Sequence, residues 1–272
     1  MTMRLFVPDA LRAGVEMALP EGAARHAMVR RVQPGQWLRL FDGLGCDWPA
    51  EVLAVGRGSV TVRVGMPQAV HRELALQVTL AMAMPANDRM DLLVEKATEL
   101  GVARIQPLHS ERSVLRLAGD RAERKRAHWQ AIAQAACEQC GRAVVPQVAA
   151  VQGWSDWLRS LPPPAGHSTR WLLSLQPGAL PVAAHGLPAE ALCTLSGPEG
   201  GLTADEEAAA RAAGFVAVDL GPRVLRAETA PLAVLAFVAL SSGTGSGTGS
   251  GTDSDMRNRM HDDIAGPVLQ HG

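Results

Sequence analysis

Two segments of this chain, Leu195–Glu207 and Leu220–Pro231, restrict its fold more than any other feature. Each follows a short apolar run, Ala191–Ser196 and Val216–Leu220, that reads as a strand, and each leads into a helix. In the first loop, LSGPEGGLTADEE, Gly197, Gly200 and Gly201 permit positive φ and let another group approach the backbone closely. Thr203 with Glu206 is a capping-box signature, so a helix starts there. Free N–H groups at such a start favour an acceptor-rich or anionic ligand. Alone, this loop fits a tight strand-to-helix turn that binds nothing equally well. The second loop, LGPRVLRAETAP, shifts the balance because it is too long for a minimal turn. Thr229 is placed to cap the next helix, and Pro231 falls in its first turn. The helix Pro231–Leu240 is apolar all round and is expected to be buried. Arg223, Arg226 and Glu228 therefore lie just outside a buried element. Ligands of open α/β sheets sit at the carboxyl ends of the strands, where both loops would be.

The rest of the chain supplies matching elements. Leu76–Met82, Ala103–Leu108 and Trp171–Leu175 read as further strands, the first nearly continuous in apolar residues, as in a strand buried on both faces. A helix is expected over Asp88–Leu100 with Gly101 as its C′ residue. A longer helix, capped by Asp120, carries a stripe of Trp129, Ile132, Ala133, Ala136 and Cys140. This alternation predicts a mostly parallel sheet covered on both faces. Residues 1–70 differ: Arg4–Val7, Trp37–Phe41, Ala50–Val55 and Ser59–Val64 are short strands separated by Gly and Pro turns, the pattern of a small β-barrel. Within them Glu21–Val32 forms a short helix carrying Arg25, His26, Arg30 and Arg31, which is either a solvated face or a nucleic-acid-facing edge. After Leu240 the composition is that of a flexible linker. The expected organisation is a β-barrel over 1–72, a parallel-sheet domain over 73–242 and a disordered tail over 243–272.

Charge and composition exclude several classes. The net charge is −1, but residues 1–72 carry +3 and residues 151–242 carry −3, so the mild basic character lies at the N-terminal end. No apolar run reaches the length of a membrane span and no signal-peptide core is present, so a soluble cytoplasmic protein is expected. Cys137 and Cys140 are half of a zinc pattern without a partner pair, and the 8 histidines never fall at metal-ligand spacing, so no metal is expected. Phosphate-binding P-loop, dinucleotide-binding and hydrolase-elbow signatures are absent.

Both loops, together with Asp88-Arg89-Met90-Asp91, Glu95-Lys96-Ala97-Thr98-Glu99-Leu100-Gly101-Val102, Ser110-Glu111-Arg112 and Glu138-Gln139-Cys140-Gly141-Arg142, resemble the RsmE-type ribosomal RNA uridine-N3 methyltransferases of the SPOUT superfamily. The resemblance runs in order from about residue 3 to residue 240. It implies an α/β fold, a SPOUT-type mostly parallel sheet with a C-terminal trefoil knot, preceded by a small PUA-like RNA-binding β-barrel. It implies a homodimer that uses S-adenosyl-L-methionine to methylate N3 of one uridine in small-subunit ribosomal RNA, with no membrane or metal involved. By the same resemblance the cofactor meets Leu173, Ser174 and Leu175; Leu195, Ser196, Gly197, Pro198, Glu199, Gly200 and Gly201; and Leu220, Gly221, Val224, Leu225, Thr229 and Ala230. Arg226 and Arg142, the latter from the same or the partner subunit, are the candidates to stabilise charge on the uridine, and Glu228 is the candidate base or a brace for an arginine. Arg112, Gln139, Arg25, His26, Arg30 and Arg31 are candidate RNA contacts, while Glu199 and Arg223 brace the loops. The alternatives are an RNA-binding module without catalysis, or a SPOUT enzyme acting at another RNA position.

Overall fold

A computed structural model describes residues 2–86, 89–163 and 168–242. Asp88 and the tail after residue 242 lie outside the described residues. The first part of the chain forms β1 (Arg4–Phe6), β2 (Glu16–Ala18), α1 (Glu21–Val29), β3 (Trp37–Phe41), β4 (Cys46–Val55), β5 (Val60–Val64) and β6 (Gln68–Ala69). Their sheet runs β1-β3-β4-β5-β2, with β6 beside β4. β1 and β3 are parallel and the other pairs antiparallel. β5 shows why the sequence forms it: Val60, Val62 and Val64 are buried while Arg63 is exposed, so one pleated face is apolar. That face packs on Leu5, Leu38, Leu40 and Val52 and on Ala23, Ala24 and Ala27 of α1. β2 is not anticipated by the sequence reading. Its three residues are too short to show an alternation, and only their pairing with β5, Glu16↔Arg63, Met17↔Val62 and Ala18↔Thr61, defines it.

The second part forms β7 (Gln77–Ala83), α2 (Arg89–Glu99), β8 (Arg104–His109), α3 (Gly119–Cys140), β9 (Gln147–Val148), β10 (Gln152–Gly153), α4 (Trp154–Ser160), β11 (Ser168–Leu173), β12 (Leu180–Pro181), β13 (Ala191–Ser196), α5 (Ala204–Ala212), β14 (Val216–Asp219) and α6 (Thr229–Ser242). These strands give a sheet of order β10-β8-β7-β13-β11-β14-β12, with β9 beside β8. Every pair in it is parallel. The sheet is buried on both faces, as parallel sheets are. On one face Val78, Leu80 and Met82 pack with Leu93 and Val94 of α2, Trp129 and Ala133 of α3, and Val234 and Leu235 of α6. On the other, Ala81, Leu108, Leu172 and Leu195 pack with Trp154, Trp157 and Leu158 of α4 and Ala210 of α5.

Helix ends follow the predicted signals with two exceptions. Gly101 takes φ 96°, and its N–H donates to Thr98 O at 3.1 Å. A side chain there would also meet Leu74 at 2.8 Å, so the position needs glycine twice over. Asp120 does not cap α3: the cap is Ala118, and Asp120 sits in the first turn, where its charge suits the helix dipole. Thr229 is the first residue of α6 rather than its cap, with its N–H and that of Ala230 donating to Arg226 O. The expectation that α6 is buried holds for Val234, Leu235 and Val238 but not for Leu240, which is 76% exposed.

Candidate active site

The parallel direction of β11, β13 and β14 brings their carboxyl ends to one edge of the sheet. A cavity of about 450 Å³ opens there, within the usual range for small-molecule sites. Three segments wall it. Leu173, Ser174, Leu175 and Gln176 leave β11. Ser196, Gly197, Pro198, Glu199, Gly201 and Leu202 leave β13, and Asp219, Leu220, Gly221, Arg223, Val224, Leu225, Arg226, Ala227 and Ala230 leave β14. Arg89 and Arg112 close the side nearest α2 and β8.

Local chemistry fixes each wall. The capping box predicted for α5 is present, with Glu206 N donating to Thr203 Oγ1 at 3.2 Å and Thr203 N to Glu206 Oε2 at 3.0 Å. At Gly197 a Cβ would lie 2.9 Å from Leu202 Cγ and 3.2 Å from backbone atoms of Gly201 and Leu202, so the loop folds back on itself there. Arg112 Nη1 donates to Gly200 O at 3.0 Å, tying the loop to the segment after β8. Glu199 Oε1 accepts from Ala86 N at 3.0 Å and Arg89 Nη1 at 2.9 Å. Gly221 takes φ 98° and its N–H donates to Asp219 Oδ1 at 3.0 Å. Ser174 Oγ donates to Glu207, 3.0 and 3.1 Å from its two carboxylate oxygens, and accepts from Gln176 N. Ser196 Oγ is buried behind the wall and has no hydrogen-bond partner among the described residues.

Of the anticipated contacts, thirteen positions line this cavity and three do not. Leu195 is wholly buried in the core beneath the sheet, on the face opposite to Ser196. Gly200 turns away, held through its carbonyl by Arg112, and Thr229 is exposed at the start of α6. Arg89, Gln176, Leu202, Glu207, Val218, Asp219 and Ala227 line the wall without having been singled out for it. Arg89 lies in a motif quoted above, and Glu207 follows the capping-box glutamate, but neither position carries a signal of its own for a ligand.

The charged candidates separate. Arg226 is exposed on the cavity wall, and its side chain has no partner among the described residues. Glu228 is 7% exposed and off the wall. Arg142 does not line the cavity of its own chain: it is 3% exposed and tied into other contacts. Its Nε donates to Glu73 at 3.0–3.1 Å, its Nη2 also meets Glu73, and its Nη1 donates to Thr98 O at 2.9 Å and Val102 O at 3.0 Å. A guanidinium so occupied clamps the ends of α2 and α3. The rest of its motif docks the two sheets. Glu138 accepts from Phe6 N at 2.9 Å and faces His26 Nδ1 at 3.2 Å. Arg4 donates to Cys137 O and Asp47 at 2.6 Å each, and Arg72 donates to Gly141 O at 2.8 Å. Gln139 is exposed on α3. Arg25, paired with Glu21 at 2.6 Å, stands with His26, Arg30 and Arg31 at the end of α1, apart from the cavity. Among the described residues no group of three or more His, Cys, Asp or Glu could hold a metal ion, and no helix is long and apolar enough to cross a membrane.

Comparison with known proteins agrees with this layout. Residues 72–239 match a family described as an RNA methyltransferase domain, and residues 19–65 match an RNA methyltransferase PUA domain. The chain is 32% identical over 88% of its length to ribosomal RNA small subunit methyltransferase E of Mycobacterium bovis, covering 92% of that protein. It is 31% identical over 78% of its length to the protein of the same name from Bacillus subtilis, covering 84% of it. Its fold matches a crystal structure of ribosomal RNA small subunit methyltransferase E from Neisseria gonorrhoeae bound to S-adenosyl methionine. The TM-score is 0.82 and the identity 38%, with 87% of this chain and 96% of that one covered.

Proposed function

The chain belongs to the ribosomal RNA small subunit methyltransferase E family, and from that premise we propose that it methylates N3 of a uridine in small-subunit ribosomal RNA with S-adenosylmethionine. The observation that carries the reading is the cavity at the ends of β11, β13 and β14, with its folded-back Gly197 and unpartnered Ser196 hydroxyl.

The residues present fit the cofactor. Leu220, Val224 and Leu225 offer an apolar wall to a nucleobase, the backbone around Gly197 and Gly201 allows close approach, and the buried Ser196 Oγ has no partner among the described residues. Glu207 and Asp219 place carboxylates on a wall that must accept a cation. S-adenosylmethionine, when bound, supplies an electrophilic methyl on a sulfonium. Uridine N3 has no free lone pair until its proton leaves, and the resulting anion spreads over N3, O2 and O4. Arg226, exposed on the wall and without a side-chain partner among the described residues, is positioned to stabilise that anion. Holding N3 in line with the methyl supplies much of the remaining acceleration.

The other features follow the same reading. Residues 1–72 act as a PUA-like RNA-facing unit, with Arg30 and Arg31 contacting phosphates that position rather than specify. Residues 73–242 form the catalytic unit, and the trefoil knot implied by the resemblance belongs to the loops after β13 and β14. The partly exposed Leu232 and Phe237 and the exposed Leu240 of α6 suit a homodimer contact, and the enzyme acts in the cytoplasm on the small ribosomal subunit. The test is incubation with methyl-labelled S-adenosylmethionine and small subunits from cells lacking the modification, followed by mass spectrometry of nucleosides. N3-methyluridine is expected; a 2′-O-methyl product, or no transfer, overturns the assignment.

A further inference from the structure

One guanidinium joins the two loops that wall the cavity. Arg89 opens α2, and its Nη1 lies 2.9 Å from Glu199 Oε1 and 3.9 Å from Glu228 Oε2. Glu199 belongs to the loop after β13 and Glu228 to the loop after β14. The first contact is secured, because the same Glu199 oxygen also accepts from Ala86 N at 3.0 Å. The second is not. Glu228 is 7% exposed, and its Oε2 is buried without a hydrogen-bond partner among the described residues. A buried carboxylate oxygen lacking a donor is costly, and such an atom calls for an explanation.

Two uses of Glu228 compete. As the base of the reaction it would have to touch the nucleotide, yet it is not among the residues that line the cavity. As a counter-charge it needs only a cation, and Arg89 is within ion-pair reach. The gap from 3.9 Å to the 2.9 Å of the Glu199 contact closes with a movement of the second loop of about 1 Å, well inside ordinary loop motion. Arginine suits this place because its planar fork can serve two carboxylates from different elements, which a lysine ammonium does less well.

We propose that Arg89 is a positioning residue for cofactor binding, which sets the loop after β13 in register with the loop after β14, and that Glu228 is its buried counter-charge rather than the base of the reaction. This rests on the reading that the cavity takes S-adenosylmethionine. Ligand occupancy draws the second loop onto Arg89 and completes the unmade bond. Both loops then contribute to affinity through one side chain.

The test uses the full chain and the variants Arg89→Met, Arg89→Lys and Glu228→Gln. Hydrogen exchange is followed in peptides spanning 197–202 and 221–228, with and without S-adenosylmethionine, and affinity is measured by calorimetry. Arg89→Met raises exchange in both loops together and weakens S-adenosylmethionine by about tenfold or more, the size of one lost charge-assisted hydrogen bond. Arg89→Lys restores protection in the first loop only. Glu228→Gln raises exchange in the second loop only. The double variant Arg89→Met/Glu228→Gln binds no more weakly than Arg89→Met, because both act through one contact. Affinity of Arg89→Met within about twofold of wild type, or losses that multiply in the double variant, overturns the proposal. If wild type itself binds no S-adenosylmethionine, the functional reading fails, while the exchange data on the free protein still decide whether Arg89 couples the loops. Should Arg89→Met not fold, Glu228→Gln and Arg89→Lys carry the same comparison.

Discussion

Replacing Arg142 by methionine separates a clamp from a catalyst. The side chain is 4% exposed, and its donors go to Glu73, Thr98 O and Val102 O. Methionine keeps much of the volume and removes every donor. Val102 O then lacks a partner, at about 1 kcal/mol, while Thr98 O keeps the N–H of Gly101. Glu73 loses its cation but remains 27% exposed, so water recovers part of that loss and about 1 kcal/mol is a fair remainder. The expected destabilisation is about 2 kcal/mol, which for a chain of this size lowers the Tm by roughly 4–8 °C. Thermal unfolding followed by circular dichroism reads this directly. Calorimetry with S-adenosylmethionine well below the transition should show affinity close to wild type, since the clamp lies away from the cavity. Arg142→Lys should fall between, because an ammonium cannot serve three acceptors in a plane. A variant with unchanged Tm that loses methyl transfer would refute the clamp and return Arg142 to the substrate.

Three further outcomes are expected. Gly197→Ala places a Cβ against Leu202 and the backbone of Gly201, so cofactor affinity should drop by about tenfold or more in calorimetry with little change in far-ultraviolet circular dichroism. Arg226→Ala should leave S-adenosylmethionine affinity within about twofold while methyl transfer falls roughly a hundredfold, the size of one lost oxyanion-type donor. Burial pushes the Cys137 thiol from 9.0 up to about 12, against a smaller opposing pull from Arg142. Cys137 should therefore resist alkylation at pH 8, as mass spectrometry of iodoacetamide-treated protein would reveal. The raised value also means that the folded state keeps a proton the unfolded chain gives up. Stability from this group is full below pH 9 and declines as pH rises towards 12, a slope that urea unfolding at several alkaline pH values can check.

What the sequence discloses is what neighbours along the chain decide. The alternation in Val60–Val64, the capping box of Thr203 and Glu206 and the C′ glycine at 101 each express a local rule, and each appears in the structure. Leu195 and Ser196 show where local rules stop. Alternation puts them on opposite faces, but only the packing of α4 and α5 decides which face is sealed. Arg142 reads like any arginine in a polar motif, because its partners lie 40 to 69 residues away. Glu199 and Glu228 are likewise alike in sequence. One braces an open loop and the other is buried, a difference visible only in the packing around Arg89, more than 100 residues away in the chain.

The order of strands in the larger sheet also has a consequence in time. β7 pairs with β8 on one edge and β13 on the other. β8 follows within a few dozen residues, but β13 is roughly 110 residues downstream of β7, a gap that takes about 6–20 s to synthesise at ordinary rates of translation. For those seconds Val78, Leu80 and Met82 are covered only by elements already made, and the second edge of the strand offers unpaired N–H and C=O groups to any passing chain. The hazard of aggregation thus falls on the half-made polypeptide, and slow decoding between residues 110 and 190 would prolong it.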